Sequence, residues 1–324
     1  VISELKVAIG FERWCAPLLD PDTLIAHTGI GDTDHLAEMP RMQLNDATLA
    51  GINNGVTLTA GRERVGVLSI ATGGDLARSQ RWRESLERFG TGDELRMVAA
   101  DECGFWGRFD LWRDQDDRPF SADDAQLLRD TSTVLGRALR RSTMSVARQT
   151  PAIPLPTGVL VIEGDLQTYR ATPTLGAWFR LLNPAGVPYA DGIPSLVWTA
   201  VGRLVAADQG ENPDQPARVR MRVADGSWAA VEAAWLGKPG GAIAVSIHAA
   251  SVEEVLDLLC RAYRLSARER ELVTLVVQGL DTDAIADHLA ISRYTVQDHL
   301  KSIFRKVGAN SRLELLAGLL AQVT

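Results

Sequence analysis

The stretch ISRYTVQDHLKSIFRKVGANSR (Ile291–Arg312) decides how this chain is read. At about 100° per residue, Val296, Leu300, Ile303, Phe304 and Val307 share one arc of a helix. Tyr294, Gln297, Asp298, Lys301 and Arg305 fall nearly opposite. A lone amphipathic helix would simply solvate that polar face. The flanking punctuation argues for more. Ser266 caps an earlier helix with Glu269 closing a capping box, and Gly279 ends it. Asp281 or Thr282 opens a short second helix carrying Ile285, Ala286 and Leu289. Ser292 caps the third and Ser311 the fourth, with Glu314 as box partner. A tight turn between the second and third of four helices is what a helix-turn-helix requires.

The polar face carries groups suited to base edges. Gln297 can pair with adenine, Lys301 can donate to guanine, and Asp298 can accept from cytosine in the major groove. Arg293, Arg305 and Lys306 suit phosphates, which position a helix without specifying sequence. With Tyr294 and Thr295 at the helix start, these residues form the expected DNA-binding surface.

The tail LSARERELVTLVVQGLDTDAIADHLAISRYTVQDHLKSIFRKVGANSRLELLAGL closely resembles the DNA-binding domain of LuxR/NarL/FixJ-type regulators. The resemblance rests on Arg268-Glu269, Gly279, Ile285-Ala286, Leu289, Ile291-Ser292, Thr295-Val296, His299, Ile303, Lys306, Gly308 and Arg312. Gln297 and Asp298 stand where many members have Lys and a small or apolar residue, so the operator is not borrowed from relatives. The upstream segments resemble the GAF-type and PAS-type sensory regions of actinobacterial one-component regulators. The resemblance implies a regulator with double-stranded DNA and RNA polymerase as partners, acting as a homodimer.

Bulk properties agree. With 324 residues, 46% apolar and 23% charged, the chain fits a multidomain globular protein. Its net charge of −7 is unevenly spread. Arg264–Thr324 holds eight Lys/Arg against seven Asp/Glu, and within it Arg293–Thr324 is +3. An acidic body carries a small basic end. Cys15, Cys103 and Cys260 are odd in number and lack metal spacing, which points to a reducing cytoplasm. No apolar run reaches the ~20 residues of a membrane span, so no membrane partner is expected. The chain opens on Val1 rather than Met, which points to a further segment ahead of it.

Five segments follow. Residues 1–148 read as an α+β GAF-like domain: helices at SELKVAIGFERW and RSQRWRESLERF, strands near Thr23–His27 and Val65–Ile70, a strand pair ELRMVAA/FWGRFDLWR, and a helix capped by Ser121. That helix shows Leu128, Thr131, Leu135 and Ala138 on one face. Residues 149–157 are a Pro-rich linker. Residues 158–250, in the order ββααβββ, resemble an α+β PAS-like domain. In it ARVRMRV alternates Val219, Met221 and Val223 against Arg218, Arg220 and Arg222, and hairpin turns fall at Asp225-Gly226 and Lys238-Pro239. Residues 251–263 form a connecting helix with a capping box at Ser251 and Glu254, packed either on its own chain or on a copy. Residues 264–324 are the all-α helix-turn-helix domain.

On the fourth helix, Leu313, Leu316, Ala317 and Leu320 make one stripe and Leu315, Leu319 and Val323 another. We expect the second stripe to meet its copy in a dimer, the alternative being that the upstream domains cover it. A small-molecule effector is expected in the PAS-like domain, where Ala233 and Trp235 on one strand face the helices carrying Trp178 and Trp198, the alternative being that the tryptophans fill this space as core. No catalytic residue, cofactor or metal is expected. The chain has no GxxxxGK[ST] loop, HExxH or GxSxG, no receiver-type acidic set, and no convincing lactone-binding Trp/Tyr/Asp set. The competing readings are an enzyme built on His35, Asp93-Glu94 or Asp101-Glu102, and a scaffold whose helix-turn-helix binds protein.

Overall fold

Gly10 turns the chain with φ +74°, a conformation cheap only for glycine, so the expected helix through Trp14 stops early. Helix α1 (Ile2–Ile9) is followed at once by strand β1 (Arg13–Leu19), which the sequence reading missed. The computed structural model describes residues 2–32, 42, 44, 46, 51–61, 63–144, 155–183, 192–210, 216–223 and 226–323. His35, Asp225 and residues 149–154 of the Pro-rich stretch lie outside the described residues, as does the side chain of Val323.

The first domain continues with β2 (Ala26–Asp32), α2 (Gly55–Ala60), β3 (Val65–Val67) and α3 (Leu68–Thr72). Helical turns at Trp82–Leu86 and Glu87–Phe89 lead to β4 (Thr91–Asp101), β5 (Gly104–Asp114) and α4 (Ala122–Met144). Its five strands are antiparallel in the order β2-β1-β5-β4-β3. Strand alternation gives the sheet two unlike faces. Leu95, Met97, Phe109 and Leu111 point to α1 and α4, meeting Leu5, Ile9, Leu128 and Leu135. Thr131 and Ala138 of α4 do not share this inward face: Thr131 is half-buried and Ala138 exposed. The inward arc is rotated toward Ser132, whose hydroxyl donates to the Val98 carbonyl, and Gly136, which rides on the Ala100 backbone.

The opposite sheet face is ionic. Arg96 joins Asp110 and Asp46, each at 2.9 Å. Arg108 joins the same two carboxylates, and Arg81 meets Glu94 at 2.6 Å. Three buried guanidiniums thus face three buried carboxylates, which is how charge survives away from water.

The second domain reproduces the ββααβββ order: β6 (Gly158–Ile162), β7 (Tyr169–Ala171), α5 (Leu175–Leu182), α6 (Ser195–Asp208), β8 (Arg218–Arg222), β9 (Trp228–Leu236) and β10 (Ala242–Ala249). Its sheet order is β7-β6-β10-β9-β8, again antiparallel. The β9–β10 hairpin turns at Lys238, whose carbonyl accepts from Gly241 N. Trp178, Trp198 and Ala233 lie buried in one core with Val219, Met221 and Val245, and Trp235 packs at its margin. The indole of Trp178 donates to the Pro156 carbonyl at 2.9 Å.

Trp228 and Ala230, on the other face of β9, belong to a core that runs through helix α7 (Val252–Ala262) into the C-terminal domain. Of the two packings open to the connecting helix, the structure takes the intramolecular one. Val255, Leu256, Leu258 and Leu259 are all buried by their own chain. The first domain touches the far end of α7: Arg140 of α4 holds Asp101 and donates to the Ala262 carbonyl, both at 2.7 Å. Among the described residues, no helix is long and apolar enough to cross a membrane.

Candidate nucleic-acid interface

Four helices make the C-terminal domain: α8 (Ala267–Val277), α9 (Thr282–Leu289), α10 (Arg293–Val307) and α11 (Arg312–Val323). Their caps are those the sequence announces. Ser266 and Glu269 form a reciprocal box, the Asp281 carboxylate accepts from Ala284 N, and Ser292 Oγ accepts from Thr295 N. Ala290 at φ +51° and Ile291 complete the tight turn between α9 and α10, with Ile291 N donating to the Ala286 carbonyl.

The angle of α10 is fixed from inside. Val296, Leu300 and Ile303 are buried in the shared core, with Phe304 and Val307 packed beside them. Glu269 supplies a polar fixture beneath them. Its buried carboxylate takes Lys306 Nζ at 2.6 Å and Ser302 Oγ at 2.8 Å. Burial alone would raise the pKa of Glu269. The Lys306 ammonium, the Ser266 backbone and the Ser302 hydroxyl outweigh it and bring the value down to about 2. Lys306 also donates to the Arg264 carbonyl. Lys306, still exposed, thus also braces α10 against α8. Arg268 caps the Leu289 carbonyl at 2.7 Å, and Arg312 reaches the Leu280 carbonyl. The motif positions Arg268, Glu269, Lys306 and Arg312 hold the domain together.

What remains outward is the polar face. Tyr294, Thr295, Gln297, Asp298, Lys301 and Arg305 are all exposed on α10. Lys301 and Asp298 form an exposed i,i+3 pair at 3.2 Å, and Arg293 rests on Asp283 at 2.6 Å. Exposed pairs of this kind are weak and exchange readily for other partners. The arrangement offers donors, acceptors and cations on one side of a helix whose other side is immobilised.

On the last helix the structure takes the second of the two alternatives, not pairing with a copy. Leu315 is 0% and Leu319 3% exposed, both buried in the core that includes Leu256 and Leu259 of α7. The stripe expected to pair with a copy is covered by this chain's own connecting helix. Leu313, 77% exposed, and Leu320 lie outside instead.

Three carboxylates of the competing enzyme reading are engaged in structural bonds, while exposed Glu102 meets Arg137 and Arg264 and its ligand atoms lie within 4.8 Å of those of Asp101 and Cys103. Glu94 holds Arg81, Asp93 caps Ser69 and Phe120 N–H groups, and Asp101 accepts from Arg140 and Trp106. Sequence alternation of Glu94 with Arg96 and of Arg108 with Asp110 could have flagged the ionic sheet face.

Residues 263–317 match the family described as bacterial regulatory proteins, luxR family. Over 52 residues the chain is 48% identical to an Aeromonas salmonicida protein named as an HTH-type transcriptional regulator in the exeN 3′ region, covering 16% of this chain and 26% of that one. Over 56 residues it is 39% identical to the spore germination protein GerE of Bacillus subtilis (strain 168), covering 17% of this chain and 76% of GerE. The chain thus spans about a quarter of the first relative and three quarters of the second. A solved VqmA–ligand–DNA complex of Vibrio cholera aligns at 22% identity and a TM-score of 0.22, over 52% of this chain and 84% of that one. Through its C-terminal domain, the chain belongs to the luxR family of bacterial regulatory proteins.

Proposed function

We propose that this protein is a one-component, sequence-specific transcriptional regulator that binds double-stranded DNA with the outward face of α10. The observation that carries the reading is the division of α10 into a locked apolar side and a bare polar side. In this reading Gln297, Asp298 and Lys301 meet base edges, Tyr294 and Thr295 enter beside them, and Arg293 and Arg305 take phosphates. RNA polymerase is the partner expected of such a regulator, and the cytoplasm its place of work. Lys301→Ala is expected to weaken binding to a selected operator by about 1–3 kcal/mol. Gln297→Ala should relax selection at one base more than it lowers general affinity. Parent-like operator binding by both variants would sink the reading face. Binding that persists at raised salt would favour a protein partner, because counterion release makes DNA binding steeply salt-dependent.

We read the two upstream domains as GAF-like and PAS-like sensory modules. Each has an antiparallel sheet in the order second-first-fifth-fourth-third, which supports that reading. A small-molecule effector is assigned to the second domain, against Trp178, Trp198, Ala233 and Trp235. Ala233→Leu should crowd this core where the effector would enter and abolish effector-dependent DNA release. If effector binding and release both survive, the effector site is elsewhere.

A further inference from the structure

Helix α4 is 23 residues long, about 34 Å at 1.5 Å per residue, and only one side of it is used by its own domain. On the other side Leu127, Thr131, Val134 and Ala138 follow one another at 4-3-4 spacing, the seam of a helix pair. Val134 is 66% exposed and Leu127 38%. Charges beside this seam are ordered. Asp123 and Asp130 flank its first half, and Arg137 and Arg141 its second. Asp123 and Arg141 enter no ion pair among the described residues. Asp130 accepts from Gln126, and Arg137 stands 3.6 Å from Glu102 at an exposed site.

We propose that this face of α4 docks on α4 of a second copy of the chain, antiparallel about a two-fold axis passing between Ser132 and Thr133. That register sets Leu127 against Ala138 of the partner subunit and Val134 against Thr131 of the partner subunit. It also brings Asp130 toward Arg137 of the partner subunit, twice by symmetry. Charge selects the direction. Parallel pairing would turn Asp130 toward the partner's Leu135, a residue sunk in its own domain. Antiparallel helices also set their macrodipoles in opposition, each end facing the unlike end. Because Arg140 ties the C-terminal part of α4 to α7, this pairing sets the separation of the two C-terminal domains.

The test needs no DNA and so stands apart from the proposed DNA reading. Sedimentation of the full chain over a concentration series to high micromolar should show a monomer–dimer equilibrium. Val134→Glu, at an exposed site, should keep the far-UV spectrum and weaken dimerisation at least about tenfold by placing a charge in the seam. Asp130→Lys should also weaken it, and Asp130→Lys combined with Arg137→Glu should restore it. A monomer at all concentrations, or a dimer indifferent to Val134→Glu, overturns the proposal. A double variant no better than Asp130→Lys alone overturns the antiparallel register and the proposal with it.

Discussion

Arg220 and Asp20, 200 residues apart in sequence, form a two-pronged ion pair with both side chains buried. Nε meets Oδ2 at 2.7 Å and Nη2 meets Oδ1 at 2.6 Å. The third guanidinium nitrogen donates to the Glu254 carbonyl, in the first turn of α7, at 2.6 Å. One side chain therefore ties the first domain, the second domain and the helix that leads into the C-terminal domain. Removing one partner strands the other charge away from water. Arg220→Met should cost about 3–5 kcal/mol in urea unfolding, and Asp20→Leu combined with Arg220→Met should recover much of it. Hydrogen exchange in α7 should rise in the single variant, because it also loses the contact to Glu254.

Acid should weaken the fold in two stages. The His27 ring beside Asp20 has a buried Nδ1 without a hydrogen-bond partner. Burial is the main cause that pulls its pKa from 6.5 to about 4, with Asp20 opposing and Arg220 adding to the shift. The unfolded chain then binds the proton first, so stability falls as pH drops from 6.5 toward 4. Glu269, lowered from 4.5 to about 2, contributes stability that is present above 4.5 and lost as pH falls toward 2. Thermal melts across this range should show both stages. His27→Gln should flatten the upper one, and Lys306→Met should shrink the lower one.

The covered stripe on α11 makes neighbouring leucines behave differently. Leu319→Ala should destabilise the protein by about 2–5 kcal/mol, as a large-to-small change in a core does. Leu320→Ala, at an exposed position, should stay within about 0.5 kcal/mol. Equal melting temperatures for the two variants would contradict the packing of α11 on α7.

Gly136 lets α4 lie directly on β4. A Cβ there would fall 2.4 Å from the Ala100 carbonyl carbon and 2.7 Å from its nitrogen, contacts with backbone that cannot swing away. Gly136→Ala gains helix propensity but must lift the helix. We expect a net loss of about 1–3 kcal/mol, checked by chemical unfolding.

Much of this protein is written locally. Capping residues and apolar spacing mark all four C-terminal helices, and they separate Val296, Leu300 and Ile303 from Gln297, Asp298 and Lys301 on α10. Strand alternation likewise puts Val219 and Met221 on the opposite side from Arg220. These signals sit within a few residues of one another, so the sequence alone determines them.

What covers each face was decided only by tertiary structure. Two leucine stripes on α11 are equally apolar, and α7 chose between them by lying over Leu315 and Leu319. The arc of α4 turned inward at Ser132 and Gly136 because small residues allow close approach to β4, whatever the spacing of larger ones suggests. That Lys306 also braces its helix shows only once the buried Glu269, 37 residues earlier, is found beside it. Arg220 reads only as one of three arginines on the far face of its strand until Asp20 arrives from the other end of the chain. Periodicity tells that two faces of an element differ. The partner that desolvates one of them comes from far along the chain, and its identity is a property of the packed whole.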